Sequence, residues 1–322
     1  MNNKRKKEIF DEDMRNFDLP VDSIMENMDI ITDPTLLSIN EFFGKVDALS
    51  VKNSKRYRKI IALLSIVGAI LAASFLFYDE AELHGLIIVC TICLVVFYLV
   101  IRQADRLDCH RKYVEYRVLA ESLRVQFFLS FAGISEPVAQ MLPYFIQNNL
   151  PWVKDELLAL DLKQNYDKQH IMEYWINNQR EYHYNFVKNN QPRYERDQKI
   201  QKYALILTVI VYILTLVIEF FIYANYLNNF DINHIRALLK IAIGIPAVIA
   251  LFAVNYYEKL SLADDIHDSE RMIMLYDIVK EEIDRNNGEE SEEIIKYLAK
   301  EFLIENSAWY NYHSRNKPDW VM

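Results

Sequence analysis

The chain is poor in glycine, proline and cysteine. Six glycines in 322 residues leave little material for phosphate-cradling loops. Together with only eight prolines, they argue against a Gly-rich fibrous fold and against extended disorder. Three cysteines cannot build a disulfide framework. Basic residues are outnumbered, 36 against 45 acids, for a net charge of −9. Binding long nucleic acid needs a basic surface that releases counterions, and this balance argues against it. A small anion held in a local basic pocket stays open. No Gly-rich phosphate loop, no His-Glu-x-x-His pair and no nucleophile elbow occurs. The seven histidines have no ligand-like spacing. No catalytic residue, cofactor or metal site is therefore assigned.

What is abundant is apolar side chain, 52% of the residues, gathered into four stretches. Ile60 to Tyr78, Gly85 to Ile101 and Ile241 to Tyr257 carry no charge, and Tyr203 to Phe230 carries only Glu219. A bilayer core is crossed by about 20 mostly apolar residues in a helix. The sequence thus predicts an all-α integral membrane protein with four transmembrane helices in two hairpins and a helical cytoplasmic domain. The loop Asp79 to His84 has three acids and no Lys or Arg, and Tyr226 to Arg236 has only Arg236. Lys and Arg crowd the opposite ends of the spans, which places both termini in the cytoplasm. Five segments follow: an acidic lead-in (1–58), a first hairpin (59–102), a cytoplasmic helical region (103–200), a second hairpin (201–257) and C-terminal helices (258–322).

Apolar spacing at Leu36, Leu37, Ile39, Phe42, Phe43, Val46 and Leu49 predicts an amphipathic helix leading into the first span. Arg102 to about Phe131 reads as one continuous helix, ended by Gly133 and Ser135-Glu136-Pro137. Shorter helices follow, with breaks expected near Pro143, Pro151 and Asn189-Asn190. A polar helix, roughly Glu258 to Asp284, a turn at Asn286-Asn287-Gly288 and a last helix, about Ser291 to Tyr310, complete the chain.

The third span carries a polar row, Gln201, Thr208, Tyr212, Thr215, Glu219 and Tyr226. Polar side chains avoid lipid, so this row faces protein or water. Thr208, Tyr212, Thr215 and Glu219 are candidates to line a pore; interhelical hydrogen bonding is the competing reading. A turn centred near Asn229 and Phe230 would set Glu219 opposite Lys240 as an intramembrane pair. In the first span Ser65, Ala69 and Ala73, with Gly68 and Ala72 beside them, suit a close helix contact. Pro246 should kink or loosen the fourth span. Cys90 and Cys93 read as small packing residues.

Beyond the second span, arginines and aromatics interleave. Arginine beside aromatic rings can grip phosphates and stack bases, so Arg111, Tyr113, Arg117 and Arg124 are candidate ligand-binding residues. Arg117 and Glu121 also have the spacing of a helical ion pair. The run from Tyr116-Arg117-Val118-Leu119-Ala120-Glu121 through Ser122-Leu123-Arg124-Val125-Gln126-Phe127-Phe128, closing with Ala132-Gly133, resembles a block found in bacterial membrane effectors of the SLATT type. The likeness continues through Trp152, Trp175, Gln179 and Tyr182, and returns at Glu305-Asn306-Ser307-Ala308-Trp309 and from His313 to Trp320. It also resembles the membrane components of Hailong anti-phage systems. The resemblance implies a homo-oligomeric pore in the bacterial inner membrane, acting in anti-phage defence. It implies control by an oligonucleotide or cyclic nucleotide and a separately encoded nucleotidyltransferase as partner. SLATT relatives often place a nucleotide-sensing domain before the first span; residues 1–58 are too few for one. A non-conducting scaffold that recruits cytoplasmic partners, and a small transporter, are the alternatives.

Overall fold

The structure, a computed structural model, describes residues 2–25, 31, 33–81, 83–162, 172–224, 231–260, 262–285 and 292–315. Among these there are helices and connecting turns and no strands. Eleven α-helices follow in chain order: α1 (Asn3–Arg15), α2 (Pro34–Glu80), α3 (Leu86–Leu107), α4 (Cys109–Phe131), α5 (Val138–Met141), α6 (Tyr144–Asn149), α7 (Pro151–Leu158), α8 (Asn178–Tyr223), α9 (Ile232–Leu260), α10 (Leu262–Arg285) and α11 (Glu292–Arg315). A π-helical turn, Met172–Asn177, leads into α8. Helices α2, α3, α8 and α9 are each long and apolar enough to cross a membrane.

The chain divides into two compact units. Among the described residues, a core unit gathers those up to Arg56, those of Asp108–Lys188 and those from Ile266 onward; a span unit gathers those of Tyr57–Leu107 and Asn189–Asp265. Both are thus assembled from distant stretches of sequence.

In the core unit, α4 is the central helix. Val118, Leu119, Ala120, Leu123, Phe127, Phe128 and Leu129 are all fully buried. A helix enclosed on every side cannot be amphipathic, which is why its sequence reads as apolar and polar residues mixed without a stripe. Helix α11 is its main neighbour, through the buried Leu298, Ala299, Phe302 and Leu303. Trp175 stacks on Phe128, with ring centroids 4.9 Å apart. The first half of α2 lays Leu36, Ile39, Phe43, Val46 and Leu49 into the same core. That is the apolar spacing seen in the sequence, except that Leu37 is exposed and Phe42 only partly covered.

Helix ends follow local chemistry. Asp33 caps α2, accepting from the backbone N–H groups of Thr35 (2.7 Å) and Leu36 (3.2 Å), with Pro34 at the first helical position. Asp231 caps α9 in the same way. Helix α4 closes in a Schellman motif. Gly133 has φ 76, and the Ile134 and Gly133 N–H groups donate to Leu129 and Ser130 carbonyls.

Two expectations need correction. The helix from Arg102 to Phe131 is not continuous: Asp108 takes a left-handed φ of 47 and separates α3 from α4. No break occurs at Asn189-Asn190; α8 runs through both and through Pro192. Pro192 lies on an exposed part of the helix, where water can serve the Lys188 carbonyl that loses its helical donor. Pro246 lies inside α9. The turns expected at Asn229-Phe230 and Asn286-Asn287-Gly288, the start at Ser291, and Tyr226 and Trp320 lie outside the described residues.

In the span unit, α2 and α9 approach through glycine. A methyl added to Gly68 would sit 2.4 Å from the Phe252 ring, and one added to Gly244 would sit 2.5 Å from the Leu76 side chain. Lys240 pairs with Glu80 at 2.9 Å. From Gly68 to Leu76 to Glu80, each step along α2 is matched by an equal step back from Phe252 to Gly244 to Lys240. The two helices are therefore antiparallel with a fixed register, each large side chain facing a glycine. The small-residue row of the first span meets its partner at Gly68. Cys90 and Cys93 are buried on α3.

Candidate functional site

Two groups of charged side chains stand out in the core unit, both built on α4. The helical repeat separates them. Arg111 and Glu115, four residues apart, share one face; Arg117, Glu121 and Arg124 share another.

On the first face, Arg111 donates to Asp108 (2.5 Å) and Glu115 (2.9 Å). Glu115, 2% exposed, also accepts from Lys6 at 2.6 Å. Burial alone would lower the Arg111 pKa, yet its two carboxylate partners raise it. The guanidinium stays charged and anchors the start of α4.

On the second face, Glu121 lies between two arginines, 2.7 Å from Arg117 and 2.6 Å from Arg124. Burial pushes its pKa up, but the two guanidinium groups prevail and hold it below the usual carboxylate value. Arg124 also lies over the Phe43 ring, 5.0 Å from its centroid, a cation–π contact that ties α4 to α2. Distant elements complete the group. His183 of α8 feels all three charges, and desolvation lowers its pKa to about 4. Glu305 of α11 is raised to about 7, first by desolvation and then by Asp268 and Glu121, against Arg271 and Arg117. Asp47 of α2 is raised by burial, with Arg117 and Arg124 working against it. Tyr276 of α10 is fully enclosed and held protonated, chiefly by desolvation. Among the described residues, Arg124 Nε and His183 Nδ1 are buried with no hydrogen-bond partner.

Groups from five helices thus lie within electrostatic reach of one ion-paired triad on α4. Glu121 pairs with both guanidiniums, and the histidine and all three carboxyls are shifted from their ordinary values, Glu121 downward and Asp47 and Glu305 upward. Of the sequence candidates, Arg117 and Arg124 belong here. Arg111 sits in the other group, and Tyr113 packs edge-on against Trp309 at 5.6 Å. The four candidate ligand residues therefore do not form one pocket, and the three arginines are engaged by Asp108, Glu115 and Glu121. Arg117 and Glu121 pair with each other. Sequence reading missed His183, Asp47, Tyr276 and Glu305 as members. Trp175, Gln179 and Glu305 lay within the stretches that carried the family resemblance, which was the one signal available. Those stretches meet in space: the Asn306 amide donates to the Val118 carbonyl at 3.2 Å.

In the span unit, Thr208, Thr215 and Glu219 lie on the half-covered side of α8, with Tyr212 at its exposed edge. The threonine hydroxyls are satisfied within the helix, donating to Ala204 and Val211 carbonyls at 2.9 Å. The expected Glu219–Lys240 pair is not formed. Glu219 instead takes a bidentate contact from Arg236, at 2.8 and 2.9 Å. Arg236 precedes Lys240 by one helical turn and takes the place expected for it. Lys240 is then free to reach Glu80 on α2. Among the described residues no three His, Cys, Asp or Glu side chains converge as metal ligands. The chain matches no protein-family model, no curated protein and no solved structure.

Proposed function

We propose that this protein is a gated pore of the bacterial inner membrane, with both termini cytoplasmic, that serves as an anti-phage effector. An oligonucleotide or cyclic nucleotide, made by a separately encoded nucleotidyltransferase, controls it. Opening depolarises the cell and arrests growth. One observation carries the reading. Within a single chain none of the apolar stretch of α9 is buried, and almost none of that of α8. One copy thus leaves wide apolar surfaces for lipid and for further copies. The polar row Thr208, Thr215 and Glu219, with Tyr212 beside it, borders the uncovered part of α8 and lines the path between copies. In the core unit, the cluster around Glu121 is the element a signal acts on. A controlling ligand must bind closed and open states unequally. A phosphate would compete with Glu121 for Arg117 and Arg124, which gives a reason for unequal binding.

A non-conducting scaffold is the second reading. Met274 and Ile278 on α10, and Tyr297 and Ile304 on α11, leave apolar side chains on the surface of the core unit. These could receive a cytoplasmic partner.

Ionic current across planar bilayers separates the two. The protein is assayed alone, with short oligonucleotides and with cyclic nucleotides. Current that one nucleotide class changes, and whose conductance shifts in Glu219→Gln, supports the gated pore. No current from folded, inserted protein under any condition supports the scaffold. Saturable solute uptake without current indicates a transporter.

A further inference from the structure

Helix α1 lies in a groove of the core unit formed by α2, α4 and α7. Phe10 is its anchor, 1% exposed, with its ring 4.9 Å from Trp152, 5.3 Å from Tyr116 and 6.4 Å from Phe42. Polar contacts border the anchor on both sides. Toward the start of the helix, Lys6 meets Glu115 at 2.6 Å and Lys7 meets Glu156. Toward its end, Asp13 accepts from Lys112 (2.7 Å) and from the Tyr116 hydroxyl (2.6 Å). The Asn3 side chain accepts from the Trp152 backbone N–H at 3.3 Å. Lys6, Phe10 and Asp13 have the i, i+4, i+7 spacing of a helix read by a groove. The charge order is matched, with basic residues on acids at one end and an acid on a base at the other.

The attachment is nonetheless slight. Phe10 is the one fully buried side chain among the thirteen residues of α1. An isolated helix of this length is marginal in water, so α1 keeps its form only while docked. Residues 16–20 then leave the helix without regular structure. Phe17 and Leu19 pack partly buried against the core, and the chain is fixed at Ile24, whose N–H donates to Asn40 at 2.8 Å, and at Met25, 2% exposed. The helix can therefore leave while the following strap stays in place.

We propose that the α2–α4–α7 groove is a helix-binding site, that α1 is its releasable resident, and that its exchange partner is an amphipathic helix of the same chemistry. Such a helix carries a basic residue, an aromatic four positions on and an acid three further. Release of α1 bares Phe42, Tyr116 and Trp152 and frees Lys112, Glu115 and Glu156 to receive it. The inference does not depend on the pore reading, because its readouts are exchange and binding.

Hydrogen exchange on the full chain tests it, with a synthetic peptide of residues 2–16 as the probe. The α1 amides should exchange about 100-fold faster than those of Val118 to Phe128. Adding the peptide should saturate a site and accelerate α1 exchange further, and a peptide with Phe10→Ala should bind about tenfold more weakly. Protection of α1 equal to that of α4 would overturn the proposal, as would peptide binding that ignores Phe10. Should the Phe10→Ala peptide behave poorly, Asp13→Asn keeps the anchor and removes the charge contact. It too should bind more weakly.

Discussion

Glu305 and His183 are perturbed in opposite senses, and the pair shapes how stability follows pH. Glu305 titrates near 7 in the folded chain against 4.5 for a free carboxyl, so from about pH 4.5 to 7 the folded state holds the extra proton and stability falls as pH rises. His183 titrates near 4 against 6.5, so from about pH 4 to 6.5 the unfolded state holds the extra proton and stability rises with pH. Between about pH 4.5 and 6.5 the two slopes cancel. Thermal unfolding of the detergent-solubilised protein should therefore be nearly flat there as far as these groups govern it. Glu305→Gln should give a rising profile and gain roughly 1–3 kcal/mol above pH 7. His183→Asn should give a falling one. Identical profiles in all three proteins would mean that neither group senses the cluster. None of this was legible in the sequence. Glu305 and His183 are 122 positions apart, and only tertiary packing brings both beside Glu121. The Arg117–Glu121 pair was legible, because four residues in a helix always return to the same face.

Among the elements, the four helices long and apolar enough to cross a membrane were plain in the sequence because each is a nearly uncharged apolar run. Their partners were not. The charge pairing missed by one turn, since the partner of Glu219 depends on the length of a connection that residue types do not fix. The interruption at Asp108 also escaped notice, because a left-handed aspartate resembles any other helical residue until its backbone is seen. Conversely, Asn189-Asn190 looked like a break and is not one, and the helix carries Pro192 as well. Local propensity yields where the helices on both sides are long. Glycine shows where packing is tight. Gly68→Leu and Gly244→Leu each drive a side chain into Phe252 or Leu76, and overpacking of this kind costs about 1–3 kcal/mol. Gly85 has no atom within 4 Å of an added methyl, so Gly85→Ala should be tolerated. Melting temperatures in one detergent should fall for the first two variants and hold for the third. A loss with Gly85→Ala equal to theirs would contradict the α2–α9 register.

At the scale of the whole molecule, two compact units are threaded through each other in sequence. The C-terminal helix α11 closes the core unit against α4, the helix at its centre. Removing residues 292–322 takes Leu298, Phe302 and Leu303 off that helix and leaves the Val118 carbonyl without Asn306. Membranes carrying the shortened chain should show the core unit digested rapidly by trypsin while fragments containing the apolar spans stay protected. An intact core unit in that assay would show that α11 is a peripheral addition. The sequence marked this organisation only indirectly, through a family-like block at each of the two places that meet.

The paired glycines of α2 and α9 also carry a consequence for biosynthesis. The notch at Gly68 is filled by Phe252, which the ribosome adds more than 180 residues later. The notched face of α2 emerges long before its match exists, and the Glu80 carboxylate likewise waits for Lys240. Throughout that interval the first span is an unfinished surface that lipid or an insertion chaperone must cover. Correct assembly is a late event, confirmed only when the last span slots against the first. A chain stalled before α9 presents an unfilled glycine groove and a lone acid, features by which membrane quality control can tell it from the finished protein.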